Sequence, residues 1–193
     1  MNENNNKAYL LGIGVAVGLA LLKRYFTGAY SPVSRNMHAD IAVVTGGNTG
    51  IGRETVFLLA RKGCTVIMGS RDHVKSEAAL DELRKETKNA NIFYCPLDLA
   101  SKASVEQFAN YVKQRYVRVD ILINNAAVFC IPERTLNGGG HEVSFAVNHL
   151  GHFYLTSLLW PLLKISDRPR IINVSALAHK VNLQRNFPMT LDF

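Results

Sequence analysis

The sequence predicts an α/β protein built on a Rossmann-like, doubly wound parallel sheet, preceded by an N-terminal apolar helix. Three observations support this prediction. Short runs rich in β-branched residues alternate with longer helical patterns from residue 40 onward. A glycine-rich segment, TGGNTGIG, lies where the first of these strands should end and the first helix begin. The chain has 193 residues, 48% of them hydrophobic, which is enough for one buried core.

The first element, residues 1–26, is predicted to anchor the chain in a membrane. The run Ala8–Leu22 is apolar on every side, and Lys23 and Arg24 follow it. As a helix these 15 residues rise about 22 Å, so they cross a core of about 30 Å only if the flanking side chains complete the span. A cleaved signal peptide is the alternative. The basic residues after the run predict a cytosol-facing domain on an endoplasmic-reticulum membrane or lipid droplet.

Residues 27–39 are predicted to be a linker, because they mix Gly, Pro and Ser without an apolar pattern. The main domain, 40–193, then alternates strands and helices. Strands are predicted at 41–45, 65–68, 91–95, 119–124 and 170–175, and helices near 50–62, 72–88, 101–116 and 140–165. Strands buried on both faces and joined by helices form a parallel, doubly wound sheet. With five strands present, we expect this domain to be incomplete at its C-terminal part.

Charge and cysteine content narrow the classes of function. The 22 basic residues against 15 acidic ones give a net charge of +7, but no basic run exceeds two residues. We therefore expect a solvated surface and no nucleic-acid binding. The three cysteines, Cys64, Cys95 and Cys130, have no metal-ligand spacing. This predicts free thiols in a reducing compartment and no metal site.

The glycines of Thr45–Gly52 have the placement that phosphate binding requires. Gly46, Gly50 and Gly52 stand where the backbone must turn tightly, approach a pyrophosphate and let a helix pack on the sheet. The N-terminus of that helix adds N–H donors and a positive dipole. Glycine loops also end strands for steric reasons alone, but here strand, loop and helix follow in the order that nucleotide binding needs. The segment therefore predicts a dinucleotide site.

The spacing T-G-x-x-x-G-I-G, together with NNAA at 124–127, resembles the short-chain dehydrogenase/reductase family from about Asp40 to the end. VNHLGHF at 147–153, DL at 98–99 and NVSALAH at 173–179 are similar to its retinol dehydrogenase-like branch. The resemblance implies an oxidoreductase that acts on the alcohol/carbonyl pair of a lipophilic substrate, such as a retinoid or sterol. A methyltransferase of similar topology is the alternative, but it usually carries an acid after the second strand.

The end of the second strand favours NADP(H) over NAD(H). Ser70 stands where an NAD-selective enzyme would carry an acid, and the guanidinium of Arg71 can clasp a 2′-phosphate. The alternative for Arg71 is a surface arginine beside a helix cap, Asp72. For Asp98 the resemblance implies a contact with the adenine amino group, and the alternative is a loop or cap residue. The full set of cofactor-binding residues that the resemblance implies is Gly46, Asn48, Thr49, Gly50, Ile51, Gly52, Arg71, Asp98, Leu99, Asn125 and Ala126.

Two catalytic candidates follow from the resemblance. Asn148 matches the asparagine of the family's proton relay, and the alternative is a structural asparagine bonded to a neighbouring backbone. The family's catalytic serine position falls on Ala176, and Ser175 precedes it. Because adjacent strand residues point to opposite faces, Ser175 could take the role only with a local twist.

The resemblance also implies a Tyr followed four residues later by Lys, and the sequence has no such pair. Lys180 has no tyrosine four positions before it. We therefore expect a truncated form of an NADP(H)-dependent oxidoreductase that is inactive alone. A catalytically inactive nucleotide-binding or interaction module is the alternative. Gly14 and Gly18 form a GxxxG pattern, which allows a homodimer.

Overall fold

The computed structural model describes residues 3–27, 36–129 and 131–176. It divides into two compact units, Met1–Arg35 and Asn36–Phe193. Most of the predicted linker lies outside the described residues, as do Cys130 and Lys180. The domain boundaries given above therefore stay predictions.

The first unit contains a single described helix, α1 (Glu3–Thr27). Its side chains from 12 to 24 are exposed, among them Val15 and Leu19. In the described part of the chain, no helix is long and apolar enough to cross a membrane. The predicted transmembrane anchor is therefore not supported. The physical reason is length: a span needs about 20 apolar residues, and any such window of α1 includes polar residues from one end of the helix.

The second unit is built on a five-stranded parallel sheet. Its strands are β1 (Ile41–Thr45), β2 (Thr65–Ser70), β3 (Ile92–Pro96), β4 (Ile121–Asn124) and β5 (Arg170–Asn173). Their spatial order is β3-β2-β1-β4-β5. In the register, Val43 of β1 lies opposite Ile67 on one side and Leu122 on the other. The predicted doubly wound sheet is confirmed, and β1 at its centre is fully buried apart from Ile41.

Helices cover both faces of the sheet. They are α2 (Gly50–Arg61), α3 (His73–Thr87), α4 (Lys102–Arg115), the one-turn α5 (Val143–Phe145), a π-helical turn (Ala146–Leu150) and α6 (Gly151–Leu163). Alternate strand residues supply two cores, because successive side chains point to opposite faces. Val44 packs in the core that includes Val56 of α2, and Val43 packs in the core that includes Phe108 of α4 and Leu155 of α6.

The amino-terminal edge of the sheet is closed by one buried carboxylate. Asp120 accepts hydrogen bonds from the backbone N–H of Ile41 at 2.8 Å and from the hydroxyl of Ser166 at 2.6 Å. It also forms an ion pair with Arg118 at 3.1 Å. These contacts tie the start of β1 to the loops before β4 and β5.

Candidate functional site

A cleft of about 400 Å³ lies at the carboxyl edge of the sheet. The chain leaves β1 toward β2 on one side, and β4 lies on the other side, so the strand order reverses at this point. Ligands of open α/β sheets bind at such a switch point. The cleft is lined by Gly46, Asn48, Thr49, Ile51, Gly52, Gly69, Ser70, Arg71, Asp72, Leu97, Leu99, Asn125, Ala126, Ala127, Val128 and Val147.

The glycine loop has the backbone that a pyrophosphate requires. Gly46 and Gly50 have φ of +65° and +53°, a region that side chains other than hydrogen disfavour. A Cβ on Gly52 would lie 2.0 Å from the carbonyl oxygen of Gly46, so only glycine allows this approach of helix and loop. A Cβ on Gly50 would meet no other described atom within 4 Å. The backbone is thus open at Gly50, and the loop fits a dinucleotide phosphate.

The first turn of α2 lacks a side-chain cap. Thr49 occupies the N-cap position with extended backbone, and its hydroxyl makes no capping hydrogen bond. The other two long helices that start at this edge are capped, α3 by Asp72 and α4 by Ser101. Backbone N–H groups at a helix start need an acceptor, and with the helix dipole they form an anion site. The α2 terminus therefore suits a phosphate group.

The turn after β4 is hydrogen-bonded to Thr45, the residue at which the glycine loop begins. The backbone N–H groups of Asn125 and Ala126 each donate to Oγ1 of Thr45 at 2.9 Å. The side-chain amide of Asn125 donates to the carbonyl oxygen of Thr45, also at 2.9 Å. The side chain of Asn125 thus holds the loop in place, and residues 125–128 line the cleft.

The end of β2 is followed by Arg71 and Asp72, and both residues line the cleft. The buried hydroxyl of Ser70 lies 2.6 Å from that of Ser76. Arg71 is exposed at the cleft and makes no ion pair with another described residue. Asp72 accepts from the backbone N–H of Lys75 at 3.0 Å, which lowers the pKa of its carboxyl. Asp72 is therefore the cap of α3, and Arg71 is the cationic side chain at the cleft.

Asp98 and Gly50 are the two predicted cofactor residues that do not line the cleft. Oδ1 of Asp98 accepts from the backbone N–H of Ala100 at 3.0 Å, the geometry of a turn. Its neighbours Leu97 and Leu99 do line the cleft. The contact of Asp98 with an adenine group stays a prediction.

Asn148 lies in the π-helical turn, beside the cleft wall. Its side-chain amide donates to the carbonyl oxygen of Val128 at 2.9 Å and accepts from the N–H of Val128 at 2.8 Å. This pairing matches the structural alternative, in which the asparagine is bonded to a neighbouring backbone. The relay role of Asn148 stays a prediction, and π-helical turns often occur at functional sites.

Ser175 is not among the residues that line the cleft. It lies two residues beyond the end of β5 and is exposed, as is Ala176. The ladder continues one residue past the strand, because the N–H of Val174 donates to the carbonyl oxygen of Asn124 at 3.0 Å. The catalytic role of Ser175 stays a prediction.

Sequence reasoning missed two buried polar residues that hold the site, Thr45 and His152. Oγ1 of Thr45 lies 2.9 Å from Nε2 of His152, and both side chains are buried. Burial lowers the pKa of His152. A signal was present, because His152 is a polar side chain within a largely apolar helix, and such a side chain needs a hydrogen-bond partner when it is buried. Of the cysteines, Cys64 and Cys95 are buried free thiols, and burial raises the pKa of Cys64 to about 12.

The fold and cleft define a nucleotide-binding protein of the doubly wound class. The family model described as short chain dehydrogenase matches residues 40–188. The chain is 47% identical over 171 residues to retinol dehydrogenase 13 of Homo sapiens, which covers 88% of this chain and 51% of that protein. It belongs to the short-chain dehydrogenase family, whose members are oxidoreductases that bind nicotinamide cofactors. The similarity to retinol dehydrogenase 13 supports assignment of the chain to the retinol dehydrogenase-like branch of this family.

Two further comparisons bear on the cofactor and substrate. The chain is 38% identical over 174 residues to polyprenol dehydrogenase of Homo sapiens, covering 88% of this chain and 52% of that protein. A candidate short chain dehydrogenase of Shigella flexneri 2a complexed with NADP superposes with a TM-score of 0.62 at 29% identity, covering 72% of this chain and 59% of that one. The chain spans about half the length of these curated relatives.

Proposed function

We propose that the chain binds NADP(H) in the cleft between the glycine loop and Arg71. The observation that carries this proposal is the end of β2, where Arg71 is exposed at the cleft. Ser70 stands where an NAD-selective enzyme of this family would carry an acid. A guanidinium gains paired, charge-assisted hydrogen bonds from a 2′-phosphate, whereas an acid would repel it. The uncapped first turn of α2 would hold the pyrophosphate, since Thr49, Ile51 and Gly52 all line the cleft.

Titration of NADPH and NADH onto Arg71→Asp and the parent chain tests the cofactor. We expect NADPH affinity to fall about 10- to 100-fold in the variant, because a charge-assisted pair is replaced by repulsion, while NADH affinity changes little. Arg168→Asp makes the same charge change on an exposed loop and serves as the matched control. An unchanged NADPH preference in Arg71→Asp would contradict the proposal.

For the whole protein we propose oxidation and reduction of a lipophilic alcohol/carbonyl pair. The relatives are named for retinol and polyprenol, which are both alcohols with long apolar chains. Bound NADP(H) supplies hydride transfer in such a reaction. The protein must add a proton donor and a group that polarises the carbonyl. Asn148 lies beside the cleft wall, where it could support proton transfer.

The 193-residue sequence has no Tyr with a Lys four positions later, and Ala176 offers no hydroxyl. We propose that this chain alone does not turn over, because loss of general-acid catalysis costs about 10²–10⁴-fold in rate. The same observation favours the second candidate, an inactive nucleotide-binding module. NADPH oxidation by the chain with retinal, beside a version extended through any downstream Tyr-Lys pair, distinguishes the two. Turnover by the extended form supports the enzyme, and inactivity of both forms supports the module.

A location at a membrane surface is proposed from the exposed apolar side chains of α1, among them Ile13, Val15 and Leu22. Apolar helices bind membrane surfaces through the area that they bury. Flotation of the chain with phosphatidylcholine vesicles, beside a form lacking residues 1–26, tests this. Equal recovery of the two forms in the vesicle fraction would contradict it. Homodimer formation stays a prediction.

A further inference from the structure

His152 connects two parts of the cleft wall from inside the molecule. It is the second residue of α6 and is 6% exposed. Nε2 lies 2.9 Å from Oγ1 of Thr45, at the end of β1. Nδ1 lies 3.3 Å from the carbonyl oxygen of Asn148, in the π-helical turn. The imidazole thus lies between the base of the glycine loop and the asparagine beside the cleft.

The position of the imidazole proton follows from the contacts of Thr45. Its Oγ1 accepts from the N–H groups of Asn125 and Ala126, and a hydroxyl oxygen has two lone pairs. Oγ1 therefore has only its proton left to offer, and Nε2 of His152 must be the acceptor. The longer alternative acceptor is the carbonyl oxygen of Ile123 at 3.4 Å. The imidazole proton is then on Nδ1, directed at the carbonyl oxygen of Asn148.

A neutral imidazole agrees with its surroundings. Burial disfavours the charged form and lowers the pKa of His152. A second proton on Nε2 would face the two lone pairs of Thr45 Oγ1 that the turn after β4 already uses. Burial and hydrogen-bond geometry thus select the same state of the ring.

These contacts form a closed chain of hydrogen bonds, the circuit, around the segment 125–128. The N–H groups of Asn125 and Ala126 lead to Thr45, Thr45 leads to His152, and His152 leads to Asn148. The side chain of Asn148 returns to the backbone of Val128. Ala126, Ala127 and Val128 all line the cleft. One buried imidazole therefore connects both ends of the segment 125–128, which lines the cleft.

We propose that His152 is a positioning residue that fixes the segment 125–128 and Asn148 relative to each other. It does so as a neutral Nδ1–H tautomer, donating to Asn148 and accepting from Thr45. Its effect on cofactor binding rests on the proposed function, whereas the tautomer and the circuit do not. A leucine of similar size would leave the hydroxyl of Thr45 without this acceptor.

Nitrogen NMR of the full chain labelled with ¹⁵N-histidine near neutral pH tests the tautomer in the parent protein, and a variant serves only to assign the signal. We expect the His152 ring to show a protonated Nδ1 and an unprotonated Nε2, with assignment by comparison with His152→Gln. His141, which is exposed, provides the control for a solvated ring, identified with His141→Gln. A protonated Nε2 on His152, or a mixture like that of His141, would overturn the proposal.

Two variants separate the two hydrogen bonds of the ring. The amide of His152→Gln can place an oxygen near the position of Nε2 and keep the bond from Thr45, whereas His152→Asn can keep only the bond to Asn148. We expect NADPH binding to weaken about 3- to 10-fold in His152→Asn and less than about 2-fold in His152→Gln. Equal affinities of the two variants would overturn the proposal. Failure of the parent chain to bind NADPH would contradict the proposed function and leave the tautomer test decisive for His152.

Discussion

The first turns of α2 and α3 start at the same edge of the sheet, each shortly after a strand, and they are built differently. In α3 the carboxylate of Asp72 accepts from the N–H of Lys75 at 3.0 Å. In α2 the hydroxyl of Thr49 makes no such bond, and Thr49, Ile51 and Gly52 line the cleft. A capped terminus has satisfied its own donors, whereas an uncapped one retains them for a ligand. The comparison favours α2 over α3 as the helix of the proposed phosphate site.

The largest effect is expected from Gly52→Ala, which disturbs the packing of the first turn of α2 against the glycine loop. The new Cβ would lie 2.0 Å from the carbonyl oxygen of Gly46 and 2.6 Å from Nδ2 of Asn125. We expect a loss of about 3 kcal/mol in the free energy of unfolding, at the upper end for an overpacked site, and about 100-fold weaker NADPH binding. Chemical denaturation and fluorescence titration measure the two.

Gly138→Ala is the matched control for this substitution. A Cβ there would meet no other described atom within 4 Å, so stability and binding should stay at the parent values. Equal losses in the two variants would show that the contact with Gly46 is not what requires glycine at position 52.

A smaller effect is expected when each cap position is changed to alanine. Asp72→Ala removes the cap of α3 and should lower the thermal midpoint by a few degrees, whereas Thr49→Ala removes no capping bond and should lower it less. Scanning calorimetry of both variants measures the difference. Asp72→Asn keeps a capping oxygen and serves as the control. A larger loss in Thr49→Ala would reverse the comparison.

The smallest expected effect is the pH dependence that the Asp72 cap contributes. The hydrogen bond from Lys75 lowers the folded-state pKa of this carboxyl, so the unfolded state binds a proton more readily. The stabilisation is therefore present above the unfolded pKa of about 3.9 and is lost as the pH falls through the folded value. The thermal midpoint of the parent minus that of Asp72→Asn, followed from neutral to acid pH, should decrease only below about pH 4. A difference independent of pH would contradict this assignment.

The sequence was sufficient for the sheet, because short β-branched runs and a glycine loop between strand and helix leave few alternatives, although β5, expected to be buried, is exposed at all four residues. It also placed most residues of the cleft, since carboxyl ends of parallel strands meet at one edge. It also predicted a helix at the N-terminus, but the transmembrane role given to α1 is not supported, because no described helix is long and apolar enough to cross a membrane. It did not find the bond between Thr45 and His152, because contacts between residues 107 positions apart depend on packing that no local pattern encodes.

The central claim is that the first turn of α2 binds the phosphates of a nicotinamide dinucleotide. The most direct test is titration of the ¹⁵N-labelled chain with NADPH, following the backbone amide signals. We expect the largest chemical-shift changes at the amides of Ile51 and Gly52 in α2 and of Ala126. The amides of Val74 and Lys75, in the capped turn of α3, should change little. A separate cleft beside α4 is lined by Asn137 and His141. Chemical-shift changes concentrated there, or in the first turn of α3, would contradict phosphate binding at α2.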